Sequence, residues 1–253
     1  MPRARAGLVA VIAVAAQVSS AETLHVSAAA SLTEAFQEIG QLFERSHPGA
    51  AVEFNFAGSQ VLRTQIEQGA AVDVFASADL VHADALEASG LLGPYQVFAR
   101  NRVVVVVPAQ HGKVGRLQDL ARPGMKVVVA GATVPVGRYT TQVLGKLSAA
   151  GLYGDDFQAR VQANLVSQET NVRVVLSKVA LGEADAGFVY ATDAATATDK
   201  IRVIDIPGRH NVIAEYPIGL LVKSPAPEKA KAFVALVLGE EGRAILLKRG
   251  FAR

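Results

Sequence analysis

Val103 to Val107 are five valines in a row, between Arg102 and Pro108. β-Branched side chains are stiff at χ1 and pack well on an extended backbone. A strand with one wet face would alternate apolar and polar residues, and this one does not. Both of its faces must be covered, so it belongs inside a sheet with a layer on each side. The rest of the chain offers those layers. Strand-like and helix-like patterns alternate along it, which predicts an α/β fold with mostly parallel sheets.

The elements follow from spacing and punctuation. Leu24 to Ser27 reads as a first strand, and the next helix has Leu32, Phe36, Ile39 and Phe43 at helical spacing. Val52 to Phe56 alternates as a strand. A helix carrying Leu62 and Ile66 stops at Gly69, and Val72 to Ala76 is a short buried strand. Leu80 to Ser89 is helical and stops at Gly90. Lys126 to Ala130, Ala186 to Tyr190, Ile201 to Ile206 and Tyr216 to Val222 read as strands. Tyr139 to Ala150, Asn171 to Leu181 and the tail from Pro227 read as helices. No linker or repeat interrupts them, so two lobes would have to share the chain by crossing back and forth. Val103 to Val107 and Tyr216 to Val222 are the natural crossovers. This predicts one lobe from residues 22–102 and 216–253 and another from 103–215, with the ligand in the cleft between them.

Residues 1–21 read as an export leader. Arg3 and Arg5 precede a nine-residue apolar run, Leu8 to Ala16, and Ser19-Ser20-Ala21 fits a small-x-small cleavage site before Glu22. Nine apolar residues are about half of what a bilayer-spanning helix needs. The chain has no cysteine, which removes disulfides, thiolate metal sites, cysteine nucleophiles and a lipid-bearing cysteine. The mature protein is therefore expected to be soluble. Arg3 and Arg5 are the only charged residues before Glu22, so cleavage takes the formal charge from +2 to 0. Nothing in that balance suggests a nucleic-acid surface, and an anion site here cannot lean on an overall positive field.

Several chemistries lack their motifs. There is no G-x-S-x-G elbow, no phosphate-binding P-loop and no G-x-G-x-x-G fingerprint. The five histidines are His25, His47, His82, His111 and His210, and none stands at H-x-H or H-x-x-x-H spacing. His82-Ala83-Asp84 offers two metal ligands at most, and a solvated surface is the plainer reading, so no metal site is expected. Ser31 or Ser59 as a nucleophile would need a base held close by, and the sequence points to none.

Two stretches remain. Ala28 to Phe36 and Phe56 to Asp79 each bring a small, hydroxyl-bearing turn from a strand end into a helix start. Two such turns facing each other would make a pocket of backbone N–H groups and serine hydroxyls, suited to a small oxyanion. Plainer readings exist for each residue. Ser31-Leu32-Thr33-Glu34 is S-x-x-E before an apolar run, a capping box. Ser59, after Gly58, also reads as a cap. Tyr190, at a strand end, reads as half-buried core with its hydroxyl in water. Val136 and Val172 have no side-chain chemistry and read as core.

The chain also resembles a known family, the periplasmic molybdate-binding proteins of ABC importers. The resemblance rests on AAASLTEAF, on Gly58-Ser59 with Gln65-Ile66-Glu67-x-Gly69-Ala70 and Asp73-x-Phe75-x-Ser77-Ala78-Asp79, and on Val134-Pro135-Val136-Gly137-x-Tyr139. Glu169-x-Asn171-Val172-Arg173, Gly187-Phe188-Val189-Tyr190-x-Thr192-Asp193-Ala194 and Tyr216-Pro217 complete it, in the family's order over nearly the whole mature chain. It implies a two-lobed type II periplasmic binding fold hinged by two strands. It also implies a monomeric, periplasmic receptor that is no enzyme, needs no cofactor and hands molybdate, with tungstate, to a membrane permease. By the resemblance, Ser31 and Ser59 would hold the anion through hydroxyls and amides, Val136 and Val172 through amides, and Tyr190 through its hydroxyl. Relatives have a serine cluster where this chain has Gly58-Ser59-Gln60, and alanine in place of Val136. Molybdate is a fully deprotonated dianion at neutral pH, so a donor-only site matches it. The alternatives are sulfate or thiosulfate on the same fold, a ligand-sensing regulatory domain, and a serine-dependent hydrolase.

Overall fold

A computed structural model describes residues 23–110 and 112–253. The expected leader, residues 1–21, and His111 lie outside the described residues. Strand β1 (Thr23–Ala29) leads through a 3-10 turn (Ala30–Leu32) into helix α1 (Thr33–Ser46). Next come β2 (Ala51–Ala57), α2 (Ser59–Glu67), β3 (Val74–Ala76) and α3 (Leu80–Ala88). The long strand β4 spans Gln96–Pro108, and β5 spans Val127–Ala130. Then follow α4 (Pro135–Ala149), α5 (Phe157–Ala163), β6 (Leu165–Glu169) and α6 (Val172–Ala180). The chain closes with β7 (Ala186–Tyr190), α7 (Ala191–Ala194), β8 (Ile201–Asp205), β9 (Ile213–Leu220), α8 (Pro227–Leu238) and α9 (Glu240–Lys248).

The strands run β2-β1-β3-β9-β4-β7-β5-β6, with β8 also on β4. The antiparallel pairings among them all involve β4 or β9; β1 with β2 and β3, and β5 with β6 and β7, are parallel. β4 changes partner along its length. Residues 96–102 pair with β9, whereas residues 103–108 pair with β7 and β8. The valine run is thus the part of β4 flanked on both sides by strands, and all five valines are fully buried. β9 in turn reaches β3 through residues 218–220.

The packing on β1 shows why α1 forms where it does. Ala35, Phe36, Ile39, Gly40 and Phe43 make one buried stripe. Phe36 and Phe43 each meet Phe233 of α8 edge-on, at 6.0 and 5.6 Å between ring centroids. Gly40 is the gap in the stripe: a Cβ there would sit 2.6 Å from the Phe54 ring.

Several boundaries differ from the sequence reading. α4 starts at Pro135 rather than Tyr139, because proline is preorganised for a first helical position. β9 starts at Ile213. The helical tail is two helices, broken at Gly239. α5 and β6 were not expected.

Candidate functional site

Five strand ends point to one place. β1 ends at Ala29, β2 at Ala57, β5 at Ala130, β6 at Glu169 and β7 at Tyr190. The turns beyond them close around a small cavity. Ser31, Ser59, Val136, Val172 and Tyr190 all line it, with Asn171 and the small residues Ala29, Ala30, Ala57, Gly58 and Ala78. In an open α/β sheet this is where ligands sit, beyond the carboxyl ends of strands.

Val136 and Val172 are buried core, as their plainer reading has it, whereas the geometry of Ser31, Ser59 and Tyr190 differs from theirs. Ser31 does not cap α1: it lies within the 3-10 turn, and the α1 start has no side-chain cap bond. Its hydroxyl instead lies 3.0 Å from the Tyr216 hydroxyl, 185 residues away. Glu34, the other half of the supposed capping box, pairs with Arg173. Ser59 is the first residue of α2, not its cap; that position belongs to Gly58. The Ser59 oxygen accepts a hydrogen bond from the Ala78 amide at 3.1 Å, leaving its own proton to donate elsewhere. Tyr190 is 1% exposed rather than half-buried. Its hydroxyl is enclosed and has no hydrogen-bond partner among the described residues. Burial, first of all, pushes the Tyr190 phenol well above its ordinary pKa, so it stays a donor.

The valines contribute backbone. Val136 is the second residue of α4 and Val172 the first of α6. Helix starts leave their first amides without intrahelical acceptors. No other described acceptor takes the amides of Ser59, Val136 or Val172. Three helix N-termini therefore bring unpaired N–H groups and positive dipole ends to one cavity. Asn171 also faces it, a residue that the sequence reading passed over. Its Oδ1 caps α6 by accepting from the amides of Arg173 and Val174 at 2.9 and 3.2 Å. An Asn ahead of an apolar helix is the signal that would have marked it.

Gly58 shows why this wall needs glycine. Its φ of −63° and ψ of 139° suit any residue, yet a Cβ would run into the Thr170 carbonyl oxygen opposite. Gly137 serves the β5–α4 turn in the same way, against the Ala130 and Gly131 carbonyls.

Charge is kept off the cavity lining, where Tyr190 is the one ionisable side chain among the described residues. Charges pair just outside it. Arg138 donates to Asp79 at 2.8 Å, and that carboxylate is 2% exposed. Arg173 holds Glu34 on one side and contacts Asp193 on the other, at 2.6 Å but outside hydrogen-bond alignment. Burial raises the Asp193 pKa to about 6 against the opposing pull of Arg173. Burial likewise holds His82 below its usual pKa, and the neutral ring meets the Thr133 carbonyl through Nε2 at 3.0 Å. Among the described residues, neither serine has a histidine or carboxylate as a hydrogen-bond partner.

Comparison with known proteins agrees with this architecture. Residues 24–252 match the family of bacterial extracellular solute-binding proteins. A curated relative, the molybdate-binding protein ModA of Mycobacterium tuberculosis H37Rv, is 40% identical over 241 residues, spanning 94% of this chain and 88% of the relative. The substrate-binding domain of a putative molybdenum ABC transporter from Clostridium difficile superposes with a TM-score of 0.67 at 30% identity, covering 91% of this chain and 98% of that one. The periplasmic molybdate-binding protein of Azotobacter vinelandii shares the fold at a TM-score of 0.78 and 24% identity, over 91% and 99% of the two chains. These matches are to binding proteins, not to enzymes. The chain belongs to the bacterial extracellular solute-binding proteins, in the molybdate-binding group with the two-lobed type II fold.

Proposed function

We propose that this protein is a periplasmic receptor that captures molybdate in the cavity and delivers it to the permease of an ABC importer. The ligands are the hydroxyls and amides of Ser31 and Ser59, the amides of Val136 and Val172, and the hydroxyl of Tyr190. Tungstate, equally tetrahedral and fully deprotonated, binds in the same way. The observation that carries this reading is the donor set. Unpaired amides at three helix starts share one cavity with the enclosed, unpartnered Tyr190 hydroxyl, and no carboxylate lines that cavity. Even one donor from each of the five residues, at about 1.5–3 kcal/mol to a charged acceptor, gives a gross ~7–15 kcal/mol. Micromolar binding needs about 8 kcal/mol. Neutral dipoles therefore suffice.

In this reading residues 1–21 are a cleaved leader and the mature protein acts as a monomer. Residues 22–102 and 216–253 form one lobe and 103–215 the other. Three bonds then join the lobes: Asp79 to Arg138, Glu34 to Arg173, and Gln60 to Thr170. Calorimetry on the mature chain tests the function. Molybdate and tungstate should bind strongly, sulfate weakly, and phosphate hardly at all near neutral pH. Equal competition by sulfate or phosphate would falsify the reading.

A further inference from the structure

The two cavity serines have different partners, and the difference carries information about protons. At Ser59 the matter is closed, because a backbone amide can only donate, so the Ser59 hydroxyl is free to donate into the cavity. At Ser31 the partner is another hydroxyl, Tyr216 Oη at 3.0 Å, and either oxygen could give the proton. The surroundings decide. Asn101 Oδ1 accepts from the Arg102 amide at 2.9 Å, which fixes the orientation of the carboxamide. Asn101 Nδ2 then donates to Thr192 Oγ1 at 2.8 Å and, more weakly, to Tyr216 Oη at 3.5 Å. Tyr216 is fully buried, and its oxygen has only Asn101 and Ser31 as hydrogen-bond partners among the described residues. If Ser31 donated to it, the phenolic proton would be left in a buried site with no acceptor, which is costly. Donation from Tyr216 to Ser31 pairs every group and leaves the Ser31 proton for the cavity.

We propose that Tyr216 is a specificity-determining positioning residue, which by donating to Ser31 commits that hydroxyl to donate in turn to the bound anion. The inference rests on the oxyanion reading above and deepens it. With Ser59 accepting from the Ala78 amide and Ser31 from Tyr216, each serine has one of its two lone pairs taken and its proton turned toward the anion. The one side-chain carbonyl on the wall, Asn171 Oδ1, already accepts two amides. An oxyanion that keeps a proton near neutral pH, such as phosphate, therefore meets side chains arranged to donate rather than to accept. Tyr216 and Asn101 stand on β9 and β4, away from the cavity lining, so the effect reaches the ligand only through Ser31.

A double-mutant cycle read by calorimetry with molybdate and inorganic phosphate tests this. Tyr216→Phe should weaken molybdate binding about 5- to 10-fold, the scale of one neutral hydrogen bond. It should also narrow the molybdate-to-phosphate ratio, because the freed Ser31 lone pair can accept from phosphate. In a Ser31→Ala background, Tyr216→Phe should change molybdate affinity by less than about twofold, since the path to the ligand is already cut. Asn101→Asp gives a second route should Tyr216→Phe fold poorly. It offers Tyr216 an acceptor, turns the relay around, and should narrow the same ratio when read at a mildly alkaline pH, where phosphate is a dianion like molybdate and the added charge acts alike on both. Additive losses in the cycle, or an unchanged ratio in both Tyr216→Phe and Asn101→Asp, would overturn the role of Tyr216. A wild type that binds no oxyanion would instead remove the functional reading itself.

Discussion

The Gln60 side chain donates from Nε2 to the backbone carbonyl of Thr170 at 2.8 Å, joining residues 110 apart in sequence. Gly58, two residues earlier, is what lets the walls come so close, since a Cβ there would collide with that same carbonyl oxygen. Gly58→Ala should therefore act on closure rather than on local folding, because the backbone angles at 58 suit alanine. Molybdate affinity should fall about tenfold or more, roughly 1.4 kcal/mol, while the ligand-free melting temperature changes little. Calorimetry beside a thermal melt checks both, and unchanged affinity would show that the walls need not meet.

Tyr190→Phe makes an unusual pair of expectations. The hydroxyl is enclosed and makes no hydrogen bond to another described residue, so removing it breaks no bond within the protein. The variant should be about as stable as the wild type. Its molybdate affinity should nevertheless fall about 10- to 150-fold, the value of one hydrogen bond to a charge. Denaturant melts and calorimetry read the two effects separately. A destabilised variant with full affinity would place the hydroxyl outside the site.

What the sequence revealed and what it hid follow from the range of the forces. The stripe Phe36, Ile39, Phe43 and the valine run were legible because burial imposes a period on neighbouring residues. Short-range pattern misread Ser31. S-x-x-E is a capping box locally, yet Ser31 answers to Tyr216 and Glu34 to Arg173, 139 residues away. Tyr190 looked half-exposed because its enclosure comes from Tyr139 and Tyr216, whose rings lie at 6.4 and 5.8 Å. β6 escaped notice because it sits at the end of the strand order with partly exposed faces; Val166 alone is 55% exposed. Ser31 and Ser59 stood out as hydroxyl-bearing turns, whereas Val136, Val172 and Tyr190 became candidates only through the resemblance, since a backbone amide leaves no mark on residue identity at Val136 or Val172.

Asp193 should leave a pH signature. Its folded pKa is raised to about 6, mainly by burial, whereas an unfolded aspartate titrates near 3.9. Between those values the folded chain holds a proton that the unfolded chain has released. The Asp193 contribution is thus full at acid pH and lost as pH rises through about 6. Asp193→Asn cannot lose it. The variant's melting temperature, relative to wild type, should therefore rise from pH 4 to pH 7 and then level off. Against the upward push of burial, Arg173 holds Glu34 below its ordinary pKa, and Glu34 works in the opposite sense only at the acid end of the range. A gap that stays constant across the range would remove the burial argument.

Backbone donors can be deleted one at a time with proline, and the geometry selects the position. At Val136 the preceding residue, Pro135, is the helical first residue of α4, and a following proline disfavours helical angles there. Val136→Pro would confound strain with the lost amide. Val172 is better placed. The residue before it, Asn171, is already extended at φ −161° and ψ 170°, and Val172 is the first residue of α6, where proline is favoured. The Asn171 cap bonds go to the amides of Arg173 and Val174 and survive the change. Val172→Pro should keep the circular dichroism spectrum and the melt close to wild type. It should weaken molybdate binding about 10- to 150-fold through the loss of one charge-facing N–H, roughly 1.5–3 kcal/mol. Val172→Ala keeps the amide and trims the buried side chain, so it should bind within a few-fold of wild type. If the folded proline variant matches the alanine variant in affinity, the Val172 amide does not touch the anion.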